Sequence, residues 1–342
     1  MSSDPVLPPA DQAPKPQPSR LRWVFVGREG LRAGWSALIF VLIFYVVMRI
    51  GLFAIQRGHL LSQPSNTAPD ISLSFGFLNE ALSAFAVLLA TWILSKIERR
   101  GRSYGYGGGH KGKLFLAGLA SGWFLISLLV LTLWKSGVLL IGPRLIFGVD
   151  ILRYGALWFL AFCLVALFEE SLTRGFLLYT LTRGLAALYR SLFKTPHSTT
   201  LGFWSAAVVM SVIFFRGHTS NPGESPVGLL AVFVGGMFFC YGVWRTGSIW
   251  WGIGMHAAWD WGQSFLFGVA DSGIMVQHRL LAAHPQGKPL LSGGTTGPEG
   301  SILVMGVLAV GSLLVFFTLP RGHYYDPPPS ATGARQPATA VA

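Results

Sequence analysis

Charged residues are scarce in this sequence, since Asp, Glu, Lys and Arg make up 12% of the 342 residues and apolar residues 52%. A soluble domain carries roughly a quarter charged residues. The deficit excludes an ordinary soluble protein and favours one that spans a membrane. The apolar residues form continuous runs, whereas the strands of a membrane barrel alternate apolar and polar residues. The sequence therefore predicts an all-α fold, a polytopic bundle of transmembrane helices.

Cysteine is also rare, with only Cys163 and Cys240, and both lie inside apolar runs. A disulfide framework needs more cysteines, placed in exposed loops. We interpret both as small packing residues. None of the serines in and near the later apolar runs, Ser205, Ser211, Ser220 and Ser264, lies in a Gly-x-Ser-x-Gly segment, and His-Glu-x-x-His is absent. These serines therefore do not form a serine-hydrolase nucleophile elbow, and a zincin helix is excluded.

About eight apolar segments are each near the ~20 residues that a helix needs to cross a bilayer. The predicted spans are 35–55, 74–96, 114–134, 154–181, 201–215, 226–244, 248–269 and 301–319. They predict one transmembrane domain over residues 35–319. The flanking residues 1–34 and 320–342 are rich in Pro, Ser, Ala and, before the first span, Arg. That composition predicts a disordered, basic N-terminal segment and a disordered C-terminal tail.

The net charge of +12 reflects Lys and Arg residues concentrated in alternate loops. This alternation fits the positive-inside rule, with both termini cytoplasmic. The basic excess is thereby explained by orientation in the membrane, so we expect membrane lipid and no nucleic acid as a partner. Disordered tails without organelle signals favour an integral protein of a bacterial inner (plasma) membrane. The sequence sets no oligomeric state.

Glu169, Glu170 and Arg174 interrupt the fourth apolar run. A charged side chain at bilayer depth costs on the order of 2.5–3.5 kcal/mol on insertion scales, and such residues usually mark a functional site. Glu170 and Arg174 are four residues apart and can pair on one helix face. Glu169 is rotated by about 100° from Glu170 around the helix axis. It therefore points away from Arg174 and is left available as a general base. The alternative is a purely structural ion network.

Two later spans carry further polar groups. His218 closes the fifth apolar run, and His256 and Asp260 share one face of the seventh. His218 by itself is typical of a helix cap, and Asp260 could simply orient the imidazole of His256. Both members of that pair are costly at membrane depth, which favours a functional role.

Together, the three clusters predict a polar catalytic cavity within the membrane. Carboxylates and imidazoles activate water either as bases or as ligands of a bound metal. The residues could therefore bind Zn²⁺ through Glu169, His218, His256 and Asp260.

The three clusters, in this order, resemble the pattern of the CPBP family of intramembrane proteases, the CAAX-protease and bacteriocin-processing or Abi family. Glu169-Glu170-x-x-x-Arg174 matches its Glu-Glu-x-x-x-Arg. Phe214-x-x-x-His218 matches Phe-x-x-x-His, and His256-x-x-x-Asp260 matches His-x-x-x-Asn or Asp. The resemblance covers residues 154–269 and implies a CAAX-prenyl-protease-like endopeptidase acting on a peptide or membrane protein.

The resemblance also implies roles. Glu169 would activate water with the help of His218, and His256 with Asp260 would stabilise the oxyanion. Glu170 and Arg174 would form a supporting pair. Members of the family are described both as metalloproteases and as metal-independent glutamic proteases, so Zn²⁺ is one of two expectations.

Asp260 departs from the well-studied prenyl-protein enzymes, which carry asparagine at this position. An amide donates hydrogen bonds to an oxyanion, whereas an ionised carboxylate repels it. Asp260 must therefore be protonated, orient His256 or bind a metal. Two other functions fit the same residues: a non-catalytic membrane scaffold or immunity-type protein, and an ion-coupled transporter that uses Glu169, Glu170 and Asp260 as proton carriers.

Overall fold

A computed structural model describes residues 24–27, 30–58, 70–98, 104–107 and 110–323 of the chain. The predicted disordered segments lie outside these residues, apart from 24–27, 30–34 and 320–323. Within the described residues, ordered structure begins before the predicted domain boundary at residue 35, in a short antiparallel pair of strands, β1 (Val26–Gly27) and β2 (Gly30–Leu31).

The rest of the described chain is predominantly helical, which confirms the all-α prediction. The helices are α1 (Ala33–Arg57), α2 (Leu73–Glu98), α3 (Lys111–Lys135), α4 (Val149–Glu170), α5 (Leu177–Phe193), α6 (Ser198–His218), α7 (Pro226–Thr246), α8 (Trp250–Asp260), α9 (Pro289–Ser292) and α10 (Val304–Thr318). Two π-helical segments interrupt this series: Ser171–Phe176 joins α4 to α5, and Trp261–Phe267 extends α8. A second antiparallel pair, β3 (Leu139–Arg144) and β4 (Leu281–Pro285), connects two loops.

Six described helical stretches are long and apolar enough to cross a membrane: α1, α2, α3, α4 continued through α5, α6 and α7. The predicted span 248–269 corresponds to α8 with its π-helical extension. The predicted span 301–319 corresponds to α10, which has 15 residues. The bundle is therefore confirmed, although two of the eight predicted spans are shorter helices than expected.

The fourth predicted span ends too early, because the helix continues beyond residue 181 to Phe193. The polar residues that break the apolar run are buried. Arg183 is 6% exposed, donates to the carbonyl oxygen of Leu31 at 3.1 Å and lies 3.7 Å from Glu98. These partners compensate the burial of the guanidinium, so the amphipathic helix α5 persists and packs along α6.

Contacts between loops define two opposite faces of the bundle. On one, which we call the basic face, Arg183 reaches β2, Ser36 donates to Glu98, and Arg245 donates to the carbonyl oxygen of Leu319 at 3.0 Å. On the other, the loop face, Arg279 pairs with Asp70 at 2.6 Å. The same face holds the β3–β4 pair and the loop between residues 268 and 303.

Glycines allow α3 and α8 to pack with their backbones in contact. A Cβ on Gly118 would collide with the backbone of α8 at Trp251, and one on Gly254 would collide with α3 at Phe115. Small residues at helix interfaces are the usual way in which membrane helices approach closely. This contact fixes the position of α8, the helix that carries His256 and Asp260.

Candidate active site

The three predicted clusters meet where α4, α6 and α8 end. Glu169 and Glu170 are the last residues of α4, and Asp260 is the last residue of α8. A π-helical segment directly follows α4, and another directly follows α8. Such segments are frequent at functional sites. Gly175, within the first segment, has φ −84° and ψ −117°, which is outside the helical region. The first segment therefore redirects the chain shortly after Glu169 and Glu170.

Glu170 and Arg174 form the ion pair that their spacing predicts. Arg174 Nη1 donates to Glu170 Oε1 at 3.0 Å, and their side chains are 1% and 0% exposed. The guanidinium also lies over the rings of Phe214, at 4.5 Å, and Phe239, at 5.1 Å. Cation–π contacts of this kind strengthen when they are shielded from water. The pair is buried and supports the other residues of the site.

His256 connects the Glu170–Arg174 pair to two other carboxylates, those of Glu169 and Asp260. Its Nδ1 lies 3.1 Å from Glu170 Oε1. An ionised Glu170 only accepts hydrogen bonds, so Nδ1–H is the donor. Its Nε2 lies 3.7 Å from Glu169 Oε2 and 3.5 Å from Asp260 Oδ2. The Phe239 ring, at 5.2 Å, packs against the imidazole. Glu170 thus orients a histidine whose second nitrogen lies between two carboxylates.

Adjacent in sequence, Glu169 and Glu170 occupy different environments. The side chain of Glu169 is 23% exposed and borders a cavity, whereas that of Glu170 is 0% exposed. The 100° rotation per residue of a helix produces this difference. Glu169 is therefore the member of the pair that can reach a water molecule or a substrate.

His218 lies on the wall of the same cavity. Its Nδ1 lies 2.9 Å from the carbonyl oxygen of Phe214, one turn earlier in α6, and its ring packs against the Phe214 ring. A carbonyl oxygen only accepts, so Nδ1 carries the proton and Nε2 is the nitrogen left for chemistry. Within the described residues, no ion pair joins His218 to Glu169, His256 or Asp260.

The cavity has a volume of about 310 Å³. Its walls are mainly apolar and aromatic and include Trp158, Phe162, Phe214, Phe238, Phe239 and Trp259. Its polar groups include five carboxylates, those of Glu80, Glu169, Asp260, Asp271 and Glu299. Among the described residues, no Lys or Arg lines it. An apolar cavity with a few convergent polar groups is typical of a ligand or catalytic site.

Asp271 and Glu299 are cavity residues that the sequence analysis missed, because carboxylates in a loop are usually solvated. Ser264 Oγ donates to Asp271 Oδ2 at 3.2 Å, and Ser272 donates to Glu299 through its backbone N–H and, at 2.9 Å, through Oγ. Burial, reinforced by Asp271, raises the pKa of Glu299 to about 8. Burial, reinforced by Asp260, also raises the pKa of Asp271.

The raised pKa of Glu299 predicts a loss of stability with rising pH. Above the ordinary value of 4.5 the unfolded chain releases this proton, whereas the folded protein keeps it up to about pH 8. The free energy of unfolding should therefore fall between these limits and level off above them. Thermal unfolding in detergent from pH 5 to pH 9 checks this. Glu299→Gln, which keeps the acceptor for Ser272, should flatten the profile, and parallel profiles would contradict the prediction.

The donor types at the site suit Zn²⁺, but their placement does not. Among the described residues, no three His, Cys, Asp or Glu side chains converge as metal ligands. Both ring nitrogens of His256 already face carboxylates. The Zn²⁺ site made of Glu169, His218, His256 and Asp260 stays a prediction.

Comparison with known families places these residues in a recognised domain. Residues 151–262 match the family model described as Rce1-like, type II CAAX prenyl endopeptidase. The matched segment is less than half of the chain and contains all three motifs. The match is consistent with the CPBP family and confirms that resemblance. No curated protein and no solved structure matches the chain. The six apolar helices indicate an integral membrane protein, and the match shows that residues 151–262 are similar to CAAX-type endopeptidases.

Proposed function

We propose that this protein is an intramembrane endopeptidase that hydrolyses a peptide bond with a water molecule activated by Glu169. One observation carries the proposal. Of two adjacent glutamates, Glu169 faces the cavity and His256, while Glu170 is buried in an ion pair that holds the same histidine. A scaffold has no need for this division between an accessible carboxylate and a supporting one.

The reaction follows from this arrangement. Glu169 takes a proton from water, and the hydroxide oxygen bonds to the carbonyl carbon of the substrate. The carbonyl oxygen becomes an oxyanion, to which a protonated His256 donates through Nε2–H. The C–N bond then breaks, and the proton held by Glu169 passes to the departing amine nitrogen. These steps give a carboxylic acid, an amine and ionised Glu169, and the acid then passes its proton to the amine to leave a carboxylate and an ammonium, so atoms and charges balance.

The neighbouring residues position these groups. Glu170 fixes His256 through Nδ1, and Arg174 balances the charge of Glu170. Asp260, 3.5 Å from Nε2, counterbalances the charge of the protonated imidazole. Asp260 therefore orients His256 in this proposal. His218 presents Nε2 to the cavity, where it can assist proton transfer at the amine.

The cavity walls suggest the substrate class. Apolar and aromatic side chains surround the carboxylates, so the site suits an apolar segment of a membrane-associated peptide or membrane protein. A buried cavity also limits competing water, which strengthens the electrostatic contacts within it.

Cleavage of quenched fluorescent peptides by the detergent-purified protein tests the proposal, with mass spectrometry of the fragments. We expect cleavage by the wild type and loss of it in His256→Ala. A strong chelator should leave the activity unchanged. Loss of activity in chelator with recovery on adding Zn²⁺ would instead support the metal-bound water. An ion-coupled transporter would show proton-coupled flux that depends on Glu170 and no cleavage.

A further inference from the structure

The cavity extends from the catalytic cluster towards only one face of the bundle. Its wall includes Gly76 and Glu80 near the start of α2, Asn221 just after α6, and Val304 at the start of α10. Asp271 and Glu299 come from the loop between residues 268 and 303. All of these positions lie on the loop-face side of Glu169 and His256. Gly217, at the end of α6 on the same wall, is exposed at that face.

On the other side the cluster is covered by residues 104–106, which connect α2 to α3. The carbonyl oxygen of Gly105 accepts from the backbone N–H of Ile249 at 3.1 Å, and Trp250 Nε1 donates to the carbonyl oxygen of Tyr106 at 3.1 Å. The Tyr106 hydroxyl lies against Gly175, where a Cβ would meet it at 3.3 Å. This segment, which we call the tyrosine plug, fastens the start of α8 to the π-helical segment after Glu170.

An aromatic cluster completes the closure. Tyr104 packs on Phe176, with ring centroids 4.9 Å apart, and on Tyr179, at 5.1 Å. Phe40 stacks on Phe176 at 5.0 Å, and Tyr104, Phe40 and Phe176 are all buried. The side chains of Phe40, Tyr104, Phe176 and Tyr179 do not line the cavity. The site is therefore closed towards the basic face and open towards the loop face.

The distribution of basic residues assigns these faces to sides of the membrane. Described Lys and Arg residues at the basic face are Arg32, Lys96, Lys111, Lys113, Arg183, Arg190, Lys194, Arg245 and Arg321. The sequence adds Arg20, Arg22, Arg28, Arg99, Arg100 and Arg102 to the same connections. Those at the loop face are Arg57, Lys135, Arg144, Arg153, Arg216, Arg279 and Lys288. The positive-inside rule places the richer face in the cytoplasm.

We propose that the cavity receives its substrate from the extracytoplasmic side, and that its substrates are peptide segments presented at the outer leaflet. The choice of substrate rests on the proposed function, whereas the direction of access rests only on the cavity, the tyrosine plug and the charge distribution. A peptide confined to the cytoplasm would meet the closed side of the site.

Sided labelling of single cysteines tests this proposal. In a Cys163→Ser, Cys240→Ser background, Val165→Cys places a thiol on the cavity wall, one turn before Glu169, and Asn221→Cys places one on the same wall, just after α6. Lys194→Cys, exposed on the basic face between α5 and α6, is the matched control. Right-side-out and inverted membrane vesicles are treated with a membrane-impermeant trimethylammonium methanethiosulfonate, whose positive charge suits the acidic wall. Unreacted thiols are then counted by a gel-shifting maleimide.

We expect Val165→Cys and Asn221→Cys to lose their free thiol in right-side-out vesicles and to keep it in inverted ones. Lys194→Cys should show the reverse. Labelling of Val165→Cys in inverted vesicles, or from neither side while it reacts in detergent, would overturn the proposal. Size-exclusion profiles matching the parent protein identify folded variants, and Asn221→Cys provides an independent readout at a half-buried site on the cavity wall.

The labelling does not depend on catalysis, so the two proposals fail separately. Sided labelling without any peptide cleavage would retain the direction of access and reject the protease. Cleavage together with labelling of Val165→Cys from the cytoplasmic side would retain the protease and reject extracytoplasmic access.

Discussion

Glu169→Gln should lower kcat for peptide cleavage by about 10²–10⁴-fold, the contribution typical of a general base. The amide has the size and shape of the carboxylate but cannot accept the proton of water. Because Glu169 is partly exposed and Glu170 carries the buried ion pair, the thermal midpoint should change little. Steady-state kinetics on one fluorescent peptide, with unfolding curves in the same detergent, measure both effects.

Asp150→Asn provides the matched control for this variant. It makes the same chemical change in the same helix, in the first turn of α4, far from the cluster. Its kcat should equal that of the wild type. If the folded Glu169→Gln variant retained full activity, Glu169 would not be the base.

The second large effect concerns the buried pair of Glu170 and Arg174. Either Glu170→Gln or Arg174→Met alone should lower the free energy of unfolding by about 3–5 kcal/mol, because each leaves a charge buried without its partner. The double variant should be less destabilised than the sum of the single variants, because both charges are then removed. Chemical denaturation of the four proteins in one detergent gives this double-mutant cycle.

The same cycle separates stability from activity. The double variant removes the carboxylate that orients His256, so its cleavage rate should remain low even where its stability recovers. Arg245→Met is the control, since the Arg245 side chain, within the described residues, donates to the backbone carbonyl oxygens of Phe316 and Leu319 at the bundle edge and to no carboxylate. Additive losses of stability across the cycle would show that the two charges do not interact, against the 3.0 Å contact.

Spacing along single helices was sufficient to predict the local pairs of the site. Glu170 with Arg174, and His256 with Asp260, are each four residues apart, and both pairs are present at 3.0 and 3.5 Å. Helical geometry alone places such residues on one face. The same argument separated Glu169 from Glu170, because consecutive residues of a helix differ by about 100°.

Residue spacing along a single helix could not predict the contacts between different helices. The hydrogen bond of His256 to Glu170 joins residues that are 86 positions apart, and no periodicity reports it. The π-helical segments carry no pattern of their own in the sequence. The polar residues of α5 read as the end of a span, because their buried partners come from β2 and α2. Asp271 and Glu299 read as solvated loop residues, because the fold alone brings them to the cavity.

The most direct test of the central chemical claim is a single turnover of peptide cleavage in water enriched in ¹⁸O, with excess enzyme and mass analysis of the N-terminal fragment. A water activated by Glu169 attacks the substrate carbonyl itself. We therefore predict one ¹⁸O atom in the new carboxylate of every fragment, and no fragment with Glu169→Gln on the same timescale. New carboxylates without ¹⁸O in the first turnover would show that an enzyme carboxylate attacks the peptide instead, and would contradict the account.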